Sequence, residues 1–316
     1  MKRIQKIMKL FQEFGIVFSI KWCFYKFTKQ NDKFIDLIYC YLYDFLKEEI
    51  ELYNKRTIIE KNNKKSKTVW VCWWQGYDLM PDFCKMCYKQ LCNVVADDAK
   101  IILITKDNYQ EYSNMPDYII EKLNDGIIPV TQFSDILRES LILNNGGLWI
   151  DASVWCNKNF NDVFENLNEF WSIKLKQIDD PNVLGQKISN CMWSGFILGG
   201  SKDSIVYDFV FSSMCKYFKA HNFVIDYFIQ NLLLRIAYDH IYPIRNIINN
   251  VEDSNQHLYD LYRVMDEPFN ESVWNDYTKN TIFFKLTQKR QYRRMNNNQL
   301  TFYSYLLKSV ENINKK

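Results

Sequence analysis

Within SDILRESLILNNGGLWIDAS, residues 134–153, two short patterns set groups capable of chemistry at fixed spacings. Asp135 and Arg138 stand three residues apart, which on a helix places them on one face. Such a pair is either a first-turn acid with its salt-bridge partner or part of a polar site. Asp151 closes the apolar run Leu148–Ile150, and Ser153 offers a second oxygen two residues later. Ligands of open α/β sheets bind outside the carboxyl edge of the strands. A carboxylate there, with a hydroxyl beside it, can reach a hard divalent cation that in turn bridges a substrate diphosphate.

For these groups to meet, a helix must stop and a strand must start within a few residues. Ser134 reads as the helix N-cap. Asn144-Asn145-Gly146-Gly147 reads as an αL stop, notable in a chain with only nine glycines. The strand GLWIDASV (147–154) follows. Strand signals also fall at TVWVCWW (68–74), AKIILIT (99–105) and SGFILGG (194–200), with helices at Asp82–Leu91, Tyr118–Leu123 and Ser134–Asn144 between them. That alternation predicts an α/β sheet with a substantial parallel portion. Residues 1–60 read as two helices, from the spacing of Ile4, Ile7, Met8, Phe11 and Phe18 and of Phe34, Ile38, Tyr41, Leu42 and Phe45. A polar linker, KNNKKSK (61–67), separates them from the rest, and the last hundred residues read as mostly helical around TIFFKLTQKRQYRR (281–294).

The 316 residues are 47% hydrophobic and 16% aromatic, enough for a sizeable core and against disorder. A net charge of +3 does not suggest a nucleic-acid binder. Nine unpatterned cysteines and the lack of a cleavable signal fit a reducing cytoplasm. The longest uncharged apolar run near the start, Phe14–Ile20, is far short of the ~20 residues that span a bilayer. Residues 1–30 nonetheless carry seven basic side chains (Lys2, Arg3, Lys6, Lys9, Lys21, Lys26, Lys29) against Glu13 alone. Together with the apolar stripe, this describes either a helix lying on an anionic leaflet or one packed on the remaining chain. Cys84, Cys87 and Cys92 lie in an amphipathic helical segment without a second ligand pair for zinc, and His221, His240 and His257 share no ligand spacing. The basic run Lys289, Arg290, Arg293, Arg294 reads as a solvated face or as a donor or membrane contact.

The chain resembles the capsular polysaccharide synthesis protein family, related to glycosyltransferase family 32. The resemblance is carried in order by VWVCWWQGYDLMPDFCKMC (69–87), FSDILRESLILNNGGLWIDASV (133–154), WSGFILGG (193–200), IDYFIQNLLL (225–234) and FFKLTQK (284–290). It implies a GT-A-like, Rossmann-like mixed sheet flanked by helices in residues 67–316, with residues 1–66 as an N-terminal helical region. It also implies a retaining transferase that moves a sugar from a nucleotide-diphosphate sugar to a glycan or lipid-linked glycan acceptor. A non-catalytic glycan-binding scaffold and a nucleotide-sugar hydrolase are the alternatives. By the same resemblance, Trp73, Trp74, Gln75 and Gly76 hold base and ribose, with Ser134, Gly147, Ser194 and Gly195 also at the donor. Asp135 and Arg138 hold donor hydroxyls and the leaving diphosphate, Lys285 contacts that diphosphate, and Asp226 is the acceptor-side carboxylate. Asp151 and Ser153 are the expected ligands of Mn²⁺ or Mg²⁺, held weakly without donor because Ser153 replaces a second Asp. Phe284 stands where a histidine ligand often precedes Lys-Leu. A cytoplasmic protein at the inner face of the membrane is the expected location.

Overall fold

The computed structural model describes residues 2–56, 65–177 and 183–313, with only the backbone of residues 2, 3, 312 and 313. Most of the linker expected at 61–67 and the side chains of Lys2 and Arg3 therefore lie outside the described residues. The chain opens with α1 (Lys2–Phe27), α2 (Asn31–Phe45) and α3 (Lys47–Asn54). Next come β1 (Thr68–Cys72), α4 (Asp82–Val94), β2 (Lys100–Ile104), α5 (Tyr109–Tyr112), α6 (Asp117–Asn124) and α7 (Val130–Asn145). β3 (Gly147–Ile150), β4 (Val154–Cys156), α8 (Asn161–Glu165), β5 (Trp171–Ser172), α9 (Leu184–Ser189) and β6 (Ile197–Gly200) follow. The remainder is α10 (Ile205–Ala220), α11 (Ile229–His240), α12 (Tyr242–Asn249), α13 (Asp260–Val264), α14 (Glu271–Lys279), β7 (Phe283–Lys285), β8 (Met295–Asn296), β9 (Gln299–Leu300) and α15 (Phe302–Ile313).

Five strands form a mixed sheet in the order β2-β1-β3-β6-β5. β1 runs parallel to both β2 and β3, whereas β6 is antiparallel to β3 and to β5. The parallel part expected from the alternation is thus its first three strands, and helices cover both faces, as the fold class requires. β3 is buried along its whole length, as a central strand between two layers should be. A second ladder pairs β4 with β7, setting Val154 opposite Lys285. This small ribbon decides what the site looks like.

Three local expectations are corrected. The run 147–154 is not one strand. It breaks after Ile150 into a turn closed by Val154 N–H donating to the Asp151 carbonyl at 2.9 Å. Ser134 is not the N-cap, because Pro129 precedes the first turn of α7 and Ser134 sits inside the helix with Oγ donating to the Thr131 carbonyl. Gly146 does end α7 at positive φ (68°), but with ψ −171° it is extended and not αL. Gly147 has φ 104°, and a Cβ there would lie 2.4 Å from the Thr68 carbonyl oxygen on the neighbouring strand. Only glycine lets β3 start this close to β1.

The N-terminal region holds three helices where two were expected, and α1 is interrupted at Gly15. Leu10, Trp22, Phe34, Ile38, Leu42 and Leu46 share one apolar core with α7, α10 and α11. The Trp22 indole donates to the Ile225 carbonyl, so these helices are built into the body of the molecule.

Candidate functional site

The chain order and parallel pairing of β1 and β3 bring their carboxyl ends to one edge of the sheet, and a cleft of about 270 Å³ opens there. Asp135, Arg138, Asp151, Ser194, Gly195 and Lys285 all line it. α7 delivers Asp135 and Arg138 from its cleft-facing side, and β3 delivers Asp151.

Arg138 lies behind the carboxylates, with its side chain only 6% exposed. Its Nη2 pairs with Asp135 at 3.2 Å and Asp151 at 3.4 Å, and its Nη1 donates to the Gln230 side-chain oxygen and the Gly195 carbonyl. The guanidinium stacks over Trp149 at 4.8 Å, and the indole of Trp149 donates to Asp151 Oδ1 at 2.9 Å. Gln230 also donates to Glu139, which is fully buried one residue further along α7. Asp135 is not a first-turn acid, since α7 begins at Val130 and places it in the second turn. The pair is a salt bridge, and it lines a cleft. Its partners hold Arg138 in place between Asp135 and Asp151.

Burial pushes the Asp135 carboxyl up to about 7, opposed by Arg138 and reinforced by Asp151. Burial also pushes Glu139 up to about 8, against the pull of Gln230 and Arg138. Burial acts in the same direction on Asp151, but Lys285 and Arg138 together outweigh it and hold this carboxyl below its usual range. Two of the three acids thus tend toward the neutral form near neutrality, and Asp151 stays charged.

Lys285 faces this anion. Its Nζ donates to Asp151 Oδ2 and to Ser153 Oγ, each at 3.0 Å, and stands 4.5 Å over the ring of Phe196. The two oxygens expected to hold a divalent cation are thus shared by one ammonium. Among the described residues no group of three or more His, Cys, Asp or Glu could hold a metal ion. The residues present do not fit the expected cation. Phe284 is no vacant ligand position either. Strand alternation turns it into the core, stacked near Trp274, and gives the cleft to Lys285.

The other expected site residues are divided. Ser194 reaches the cleft, but its hydroxyl donates to the Ile173 carbonyl. Trp73, Trp74, Gln75 and Gly76 follow β1 at the same sheet edge without lining this cleft. Trp74 packs on Tyr109 and Phe133, and the Trp73 indole donates to Leu79. Gly147, at the far end of β3, does not line the cleft and packs closely on Thr68 of β1. Asp226 is not in the cleft: its Oδ1 accepts from Phe228 N–H at 2.8 Å and shapes the entry to α11. The neighbouring Tyr227, Phe228 and Asn231 line the cleft instead. No local spacing signalled these residues, nor Trp149 and Gln230.

None of the remaining candidates joins the site. Cys84 and Cys87 pack in an apolar cluster. His221 bonds Glu13 and Tyr41, His240 bonds Tyr39, and His257 bonds Asp260. Arg290 pairs with Asp266.

A family model described as capsular polysaccharide synthesis protein matches residues 19–306. No curated protein matches the chain in sequence. Among solved structures, it is similar to the apo structure of the WbbM bifunctional glycosyltransferase, at 9% identity and a TM-score of 0.42, over 82% of this chain and 51% of that one. It is also similar to the PaToxG glycosyltransferase, at 11% identity and a TM-score of 0.37, over 78% of this chain and 94% of that one. The chain thus spans about half the length of the first of these.

Proposed function

The chain belongs to the capsular polysaccharide synthesis protein family, and on that premise we propose that it is a retaining, GT-A-like glycosyltransferase using a nucleotide-diphosphate sugar. The observation that carries this reading is the composition of the cleft. A lysine ammonium and a buried arginine flank Asp151 at the carboxyl edge of the sheet, with Asp135 beside them. Cationic groups there suit a diphosphate, and a carboxyl group suits sugar hydroxyls.

In this reading Asp135 binds donor hydroxyls, Lys285 meets the diphosphate, and Arg138 keeps both carboxylates in register. The bond from the anomeric carbon to the phosphate oxygen breaks with its electron pair leaving on the phosphate. Lys285 stabilises that charge, which is electrostatic catalysis by a preset group. The acceptor oxygen bonds the anomeric carbon from the same face, and its proton passes to the departing phosphate oxygen. The sugar keeps its anomeric configuration.

The acceptor side of the reading is a glycan or lipid-linked glycan at an anionic membrane surface. Ile4, Met8, Ile16, Val17, Ile20, Phe24 and Phe27 form an exposed apolar stripe along α1, with Ile16 and Val17 at 68% and 70% exposure. Lys6, Lys21 and Lys26 are exposed on the same helix, while Glu13 is turned inward to His221. An apolar stripe flanked by exposed lysines matches an anionic lipid surface. Among the described residues no helix is long and apolar enough to cross the membrane. Through Trp22 and Ile225, α1 touches the segment that leads to Tyr227 at the cleft.

A thermal-shift screen of nucleoside diphosphates and their sugars tests the donor reading. A ligand at a hundredfold excess over its dissociation constant adds about 2.7 kcal/mol of apparent stability. One nucleotide sugar should shift the wild type and shift Asp135→Asn less than its bare nucleoside diphosphate leads one to expect. No shift with any nucleotide would remove the reading.

A further inference from the structure

We propose that the Lys285 ammonium takes the place of a divalent cation, so that this chain binds its donor's diphosphate without a metal. The inference rests on the donor-site reading above and adds to it the identity of the positive charge.

The placement of Lys285 is set by the backbone. β7 pairs with β4 in a register that puts Lys285 opposite Val154, immediately after the Asp151–Ser153 turn. Leu286 N–H donates to the Ser153 carbonyl at 3.1 Å, and Lys285 N–H donates to the Leu258 carbonyl at 2.8 Å. The side chain is thereby anchored on both sides of its Cα and reaches Asp151 Oδ2 and Ser153 Oγ at equal distances of 3.0 Å. A cation between those oxygens would occupy this position.

The ligand inventory agrees. Asp151 Oδ1 already accepts from Trp149 and faces Arg138, leaving Oδ2 as the outward oxygen. Ser153 contributes a neutral hydroxyl, so a hard cation there would take one carboxylate oxygen and one hydroxyl from the protein and depend on waters and the donor's phosphates for the rest of its shell. It would also stand against two fixed positive charges, Lys285 and Arg138. An ammonium needs only a few acceptors and carries three donors. Two of them are used on Asp151 and Ser153, and the third is free to meet a phosphate oxygen. Lys285 is 22% exposed where Arg138 is 6%, so the lysine is the cation a ligand meets first.

The test is calorimetric binding of UDP, GDP, ADP and CDP to the full chain, in excess EDTA and again with Mn²⁺. The inference expects the best diphosphate to bind equally within about twofold in both buffers, and Lys285→Ala to weaken it by roughly tenfold or more in both. As a second measurement, Mn²⁺ electron paramagnetic resonance should show no bound metal on the wild type with or without diphosphate. Lys285→Glu, which removes the charge and adds a carboxylate beside Asp151, should gain bound Mn²⁺. Diphosphate binding that needs Mn²⁺ would overturn the inference and leave the donor-site reading standing. No diphosphate binding in either buffer would overturn the donor-site reading and this inference with it.

Discussion

At the scale of single residues, the site is organised by buried groups that no ligand needs to touch. Arg138 joins Asp135, Asp151, Gln230 and the Gly195 carbonyl while almost wholly buried. Removing it leaves several polar partners uncompensated, so Arg138→Ala should cost roughly 3–5 kcal/mol by urea unfolding. A loss below about 1 kcal/mol would return the residue to the status of a surface salt bridge. Glu139 permits a cleaner test. Its carboxyl is raised from the ordinary 4.5 to about 8 by burial. The folded state therefore keeps a proton that the unfolded chain releases. The associated stability is present below the ordinary value and is lost as pH rises through about 8. Glu139→Gln cannot ionise, so it should match the wild type near pH 4.5 and exceed it near pH 9, on the order of 1–3 kcal/mol. Asp135 shifts in the same sense but is common to both proteins. A difference that is constant with pH would contradict the assignment.

At the scale of elements, the join between α7 and β3 was legible because its signals are local. Asp135, Arg138, the glycine pair and Asp151 lie within one stretch of sequence and are brought together by one helix, one turn and one strand. Gly147→Ala should show how tight that join is. The added methyl meets the Thr68 oxygen and a backbone at φ 104°, and a loss of more than about 2 kcal/mol is expected by thermal or urea unfolding. The ribbon of β4 with β7 was not legible, since it pairs residues far apart in sequence and its register decides whether Lys285 or Phe284 faces the cleft. Asp226 went astray for a related reason: the short hydrogen bond to Phe228 N–H turns it away and leaves Tyr227 at the rim. On α1 the helical period was readable, but which face would be covered was not. Phe14 and Phe18 pack inward, and Ile16, Val17 and Phe24 remain outside. The full chain should therefore co-sediment with vesicles containing anionic lipid. The double variant Ile16→Glu, Val17→Glu should lose that binding while unfolding at the same urea concentration. Equal sedimentation of both proteins would exclude the stripe as the contact.

At the scale of the whole molecule, the sheet edge sets the cleft and α7, α9 and α11 line it. The alternation of strands and helices foretold the parallel strands β2, β1 and β3, because each is a local pattern. Packing of α1 on the remaining chain was one of two alternatives read from its stripe, but its partners α10 and α11 were not legible, since they lie far apart from it in the chain. The central claim is that this cleft transfers sugar from a nucleotide donor, and turnover tests it most directly. Proton NMR of the full chain with its best-binding nucleotide sugar and a membrane glycan extract follows both the nucleoside diphosphate released and the anomeric proton of the sugar product. The account predicts release with the donor's anomeric configuration kept, and a fall of at least about a hundredfold in Asp135→Asn. Release at the same rate by the wild type and by Asp135→Asn would contradict it.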